Sequence, residues 1–350
     1  LTVNAGKTFG EGAASKNLTV SGHVSVDGTL DLDRSSSDGN ASFGSLTIAN
    51  GGTVEAPSHG NLTLTTDATD QFLYETISGA TFNNNDGTVI ITGDGRVKPR
   101  AGTGNFHNVT LNASGNTIEQ SAVDVTIEGN LTITAGEWHT GTAGLGYSNL
   151  TVTGATDITG TLNCHSGTIS LGSNVDDAYS VVVNANGTFT GGSGTHTLGA
   201  VNVSSSANNF TFSSGTTTIN GRATSGNSRR AFSTAATNKI TAAGTLVIDQ
   251  ARTPLSIRCD DTTGINNLTM NCGSGRVLHL DGDLTVGGTL NVSAGTVTTR
   301  NVGDSADNDL TVAGGNISVS GTLLLNNSTV VVSDTSSALS ISNVGTVTCG

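Results

Sequence analysis

Two carboxylate pairs, Asp176-Asp177 and Asp260-Asp261, come closest in this chain to a hydrolytic pattern. Two carboxyls flanking a glycosidic bond can divide the roles of acid and base or nucleophile, and their separation sets the stereochemical outcome. Adjacent residues of a strand point to opposite faces, so neither pair converges through sequence adjacency. A sugar-cleaving centre would need carboxylates converging from successive turns of the chain. Polysaccharide lyase or hydrolase chemistry stays as an alternative; the expectation is a non-catalytic protein with no cofactor.

Binding chemistry has more candidates. Arg96, Lys98 and Arg100 form one basic stretch and Arg222, Arg229, Arg230, Lys239, Arg252, Arg258 and Arg276 a second, within a chain of formal charge -13. Such clustering suits a groove for anionic polysaccharide, with Arg96, Lys98, Arg100, Arg229 and Arg230 as contacts, or plain solvated loop charge. Trp138, the only Trp, lies between Glu137 and His139, with Tyr147 nine residues on. An exposed ring there would stack on a sugar, whereas a buried one would fill a corner of the core. Asp304, Asp307 and Asp309, like Asp31, Asp33 and Asp38, offer oxygens at spacings calcium can use. Neither set has the Gly and bidentate Glu of an EF-hand loop, so no metal is expected. Cys259 and Cys272 are close enough in sequence to bridge neighbouring turns; the alternative is that they, Cys164 and Cys349 are inert thiols.

The elements that must position these groups follow from a repeat. The phrase NLTV and its variants start at Asn17, Ser45, Asn61, Asn108, Asn130, Asn149, Asn267, Asp283 and Asp309, with neighbouring starts 16, 19, 22, 26 or 28 residues apart except across the two stretches 61–108 and 149–267. Within each unit, short runs alternate an aliphatic residue with Ser, Thr or Asp, the period of a sheet with one buried face. Asp-Gly and Asn-Gly steps such as Asp27-Gly28 and Asn186-Gly187 supply the turns. Several Asn residues of these phrases also form N-x-S/T sequons, a by-product of a turn Asn followed by a Leu-Thr-Val strand.

Composition agrees. Gly is 48 of 350 residues, about twice its usual share, while Pro is 3 and aromatics are 4%. Val, Leu, Ile and Ala suit a thin core of stacked aliphatic layers, and helical spacing is almost absent. Turns arrive too often for sandwich strands, so the pattern predicts an all-β, single right-handed parallel β-helix of irregular coils. At about 20 residues per coil this gives on the order of 17 coils. The chain reads as one continuous solenoid over 1–350, less regular over 66–107 and 222–275. Leu1 begins inside a strand-like phrase and Gly350 follows one directly, so a segment of a longer polypeptide, or copies abutting end to end, is expected.

The acidic balance argues against nucleic acid, and no apolar run is long enough to insert into a membrane. Phrases such as Asn17 to Gly22 and Asp283 to Val292 resemble the β-solenoid stalks of bacteriophage tail fibres and virion appendages. They also look like the shafts of filamentous-haemagglutinin-type secreted adhesins. The resemblance implies a structural or adhesive fibre segment that is extracellular, on a virion or on a bacterial cell surface. The expected partners are further copies along or beside the rod, from its open coil edges, and cell-surface polysaccharide, from the basic clusters. The phage-type reading is preferred over the bacterial adhesin or filament.

Overall fold

Alternating aliphatic and hydroxyl side chains set the strands, and the structure is all-β: a parallel β-solenoid of about 12 turns, with no helix among the described residues. This computed structural model describes residues 1–350 other than 11–15, 34–38, 66–71, 101–103, 143–145, 173–177, 205–208, 226–227, 235–239, 251–253, 262–263, 304–305, 315, 334–339, 344–345 and 350. The chain forms two units, Leu1–Thr168 and Ile169–Gly350.

In Leu1–Thr168, long strands such as Leu18–Val26, Ala41–Ile48, Asn108–Gln120 and Leu131–His139 pair in parallel with their counterparts in the next coil. Each turns a corner partway, where the register shifts, and so serves two stacks of strands. A further stack holds Thr8–Gly10, Thr29–Asp31, Thr53–Glu55 and Thr81–Asn83. The corner in Leu131–His139 falls at Gly136, with φ of +87°. A Cβ there would lie 2.4 Å from the Ala113 carbonyl oxygen, so backbone conformation and close coil contact both require glycine. This corner sets the directions of Glu137, Trp138 and His139.

In Ile169–Gly350, one stack runs from Val181–Val183 through Val201–Val203, Ser228–Thr234, Leu255–Cys259 and Val277–Leu280. A second runs from Ile169–Leu171 through His196–Leu198, Thr216–Ile219, Thr245–Ile248 and Asn267–Asn271. Inward side chains form columns at the inter-strand spacing. Phe189 and Phe210, register partners, stack with centroids 4.7 Å apart, and Phe212 and Phe232 pack against Phe210.

Coils are longer than the 20 residues expected. Register steps run from 19, between Val277 and Thr296, to 31, between Val201 and Phe232, so the turns are fewer than 17. Extra residues go into side loops. Two of these form small antiparallel pairs, Gly141–Thr142 with Gly146–Tyr147 and Ala223–Ser225 with part of Ser228–Thr234.

Candidate functional site

The residues with acid, amide or base side chains mostly bind the next coil. Asn17 Oδ1 accepts the backbone N–H of Asn40 at 2.9 Å, and Asn40 Oδ1 accepts that of Asn61 at 3.0 Å. The same ladder joins Asn108 to Asn130 and Asn130 to Ala155, Asp124 to Asn149 and Asn149 to Thr168, and Asp283 to Asp309 and Asp309 to Thr329. Six of these acceptors, Asn17, Asn108, Asn130, Asn149, Asp283 and Asp309, are the first residues of NLTV phrases. Asp309, considered for calcium, is therefore a ladder residue. Asp307 bonds Arg300 Nε at 3.1 Å, and this guanidinium holds its carboxyl below the usual carboxylate range. Asp33 accepts from Ser58 Oγ at 2.6 Å, and Asp31 from the Asp33 N–H at 3.2 Å. Asp304 and Asp38 lie outside the described residues. Among the described residues, no group of three or more His, Cys, Asp or Glu is arranged to hold a metal ion.

The basic candidates are tied to carboxylates. Lys98 Nζ is 2.7 Å from Glu75 and 4.9 Å from the centre of the Phe72 ring. Arg96 Nε is 3.4 Å from Glu119, its register partner. Arg230 pairs with Asp281 at 2.6 Å and Arg258 with Asp260 at 2.6 Å. Arg222 is buried and donates to the Pro254 carbonyl. Arg229 is half-buried on Ser228–Thr234, while Arg100 and Arg276 are exposed; Lys239 and Arg252 lie outside the described residues. Most of the expected anion groove is thus neutralised by its own coils.

Trp138 corrects the sequence reading of a glycan contact. It is fully buried, and its Nε1–H donates to Gln120 Oε1 at 3.4 Å. Glu137 and His139, its neighbours on the strand, point the other way. Cys259 and Cys272 are free, buried thiols, the first at the end of Leu255–Cys259 in one stack and the second just after Asn267–Asn271 in the other, so the bridge between them is not formed. Cys164 is likewise free and buried.

The side-chain cluster that remains available lies on the outer face behind Trp138. Tyr147, on the Gly146–Tyr147 arm of the hairpin, is 47% exposed. Its ring stacks on His165 with centroids 5.3 Å apart and planes 23° apart. His165 meets the His139 ring at 5.0 Å and 66°, and His139 Nε2 lies 2.9 Å from Glu137 Oε2. His165 has φ of +47°, and burial together with the charge of His139 pushes its pKa down against the opposing pull of Glu119. Sequence reasoning singled out Tyr147, His139 and Glu137 but missed His165. One coil of offset was the available signal: His139 is in register with Asn163, two residues before His165.

A hollow of about 270 Å³ is lined by Cys259, Asp260, Asp261, Asp283 and Thr285. Its carboxylates have structural partners. Asp260 holds Arg258, Asp283 holds the Asp309 N–H, and buried Asp261 accepts the Ile240 N–H at 2.9 Å. Asp260 is half-buried and Asp261 buried, and both line the hollow. Asp176 and Asp177 lie outside the described residues. No family model matches this chain, and neither curated proteins nor solved structures give a match.

Proposed function

We propose that this chain is a non-catalytic structural segment of a surface fibre, in which hydrogen-bonded coils supply stiffness and surface groups supply attachment. The observation that supports this best is where the ionisable groups go. Lys98 to Glu75 and Arg96 to Glu119 link register partners of successive coils, and Asp124, Asp283 and Asp309 hold the backbone of the coil that follows. Charged side chains are used as coil-to-coil ties, and in such a stack stability accumulates through neighbour contacts. An extracellular place on a virion or bacterial surface, read from the resemblance to phage fibre stalks, and self-association and polysaccharide as partners belong to the same proposal.

One observation favours the rival. Three aspartates line one hollow, as a sugar-processing centre would require. Reducing ends released from a panel of acidic and neutral polysaccharides test both readings. The structural reading expects no release. Turnover that disappears in Asp260→Asn or Asp283→Asn would replace it with the enzymatic one.

A further inference from the structure

Of the three tyrosines, Tyr147 alone is exposed. An exposed ring on a hairpin would ordinarily be free to swing. Here one face is fixed by the stack on His165, which is itself braced by the edge contact with His139. A ring already held in one orientation loses little freedom on binding. The contacts continue through His165 to hydrogen-bonding groups: the His139 imidazole and the half-exposed Glu137 carboxylate bonded to it. A pyranose offers the matching surface, an apolar C–H face for an aromatic ring and a rim of hydroxyls for carboxylate and imidazole.

Charge selects among sugars. Arg96 is paired with Glu119 and His139 with Glu137, so among the described residues this face presents no uncompensated cation, in a chain of net charge -13. A sulfated or uronic unit would meet carboxylates, whereas a neutral unit meets none of that repulsion.

We propose that Tyr147, backed by His165, with His139 and Glu137 continuing the cluster on the far side of that contact, is a binding platform for a neutral pyranose unit of an oligosaccharide. The proposal rests on the attachment part of the structural reading and names its ligand class. Saturation-transfer NMR tests it on the full chain, with uncharged hexasaccharides of glucose, galactose and N-acetylglucosamine, a sulfated hexasaccharide for comparison, and reducing ends read in parallel. At least one neutral hexasaccharide receives saturation. Affinity falls more than tenfold in Tyr147→Ala and in Tyr147→Leu, which keeps apolar bulk without a π face, and stays within threefold in Tyr147→Phe. Unchanged Trp138 emission in these variants shows that the core beneath is intact. Transfer to no neutral sugar, preference for the sulfated one, or binding that survives in Tyr147→Leu overturns the platform. Tyr147-dependent binding accompanied by cleavage keeps the platform and overturns the structural reading; neither binding nor cleavage removes the platform alone.

Discussion

Asn130 is held by Asn108 and holds Ala155: its backbone N–H donates to Asn108 Oδ1 at 3.0 Å, and its own Oδ1 accepts from Ala155 N–H at 2.8 Å. A corner leaves backbone N–H groups without a strand partner, and a short amide or carboxylate side chain from the previous coil satisfies them. That is the physical reason for Asn or Asp at the head of the repeated phrase.

Replacing Asn130 by Ala leaves the Ala155 N–H without this acceptor. The expected loss is about 1–2 kcal/mol, while Asn130→Asp, which keeps an acceptor oxygen, loses less than about half of that. Urea unfolding followed by Trp138 emission measures both. Equal losses in the two variants would show that the side-chain acceptor is not what matters.

Gly136 offers a test of the corner itself. A methyl group there meets the Ala113 carbonyl oxygen at 2.4 Å, on a backbone of φ +87° that other residues rarely adopt. Gly136→Ala is expected to destabilise the fold by at least about 1–3 kcal/mol. Because Trp138 lies two residues on, near-UV circular dichroism of the native state should change as well. An unaltered spectrum and midpoint would mean that the corner tolerates ordinary residues.

The same phrase explains what the sequence conveyed and what it hid. Alternation and frequent turns were enough for a parallel solenoid, because each strand buries one face whatever the coil length. Coil length was not legible, since copies of the phrase fall on different stacks. Asn108 and Asn130 head paired strands, and their interval of 22 residues is one coil. Asn130 and Asn149, 19 apart, head strands of different stacks, and their interval is only part of a coil. Reading all intervals as coils shortened the coil and raised the turn count. Trp138 was ambiguous for a related reason: in a strand that turns a corner, strict alternation no longer fixes which face is inward. His165 was hidden because its contacts with Tyr147 and His139 arise from one coil of offset and a left-handed backbone.

Cysteine chemistry separates free thiols from a bridge. Burial pushes the Cys272 thiol up to about 11 and the Cys259 thiol up to about 12, and raises Cys164 strongly as well. A thiolate is the reactive form, so none of the three should react in the folded protein near pH 8. In a Cys349→Ser variant, Ellman's reagent is expected to titrate no thiol under native conditions and all three in guanidinium without reductant. Finding only one after unfolding would restore the Cys259–Cys272 disulfide.

Acid should weaken the second unit through His196. This side chain is fully buried in a column whose neighbours in register are Ile169 and Thr217. Its Nε2 lies 2.5 Å from the Gly191 carbonyl oxygen, which makes Nε2–H the donor. Nδ1 and the buried Thr217 Oγ1 have no partner among the described residues. Charging the imidazole would place a cation in an apolar interior, and burial accordingly pushes its pKa down, against the opposing pull of the Gly191 and Thr195 backbone. The unfolded chain then binds the proton more readily than the folded one. Stability from this group is complete above the unfolded value of about 6.5 and drains away as pH falls below it toward the depressed folded value. His196→Leu removes the titration, although it also leaves the Gly191 carbonyl oxygen unbonded and so lowers stability at pH 7.5. The drop in Tm from pH 7.5 to pH 5 should therefore be smaller in His196→Leu than in the unaltered chain, the other six histidines being common to both. Equal drops would show that the buried imidazole does not carry the acid sensitivity.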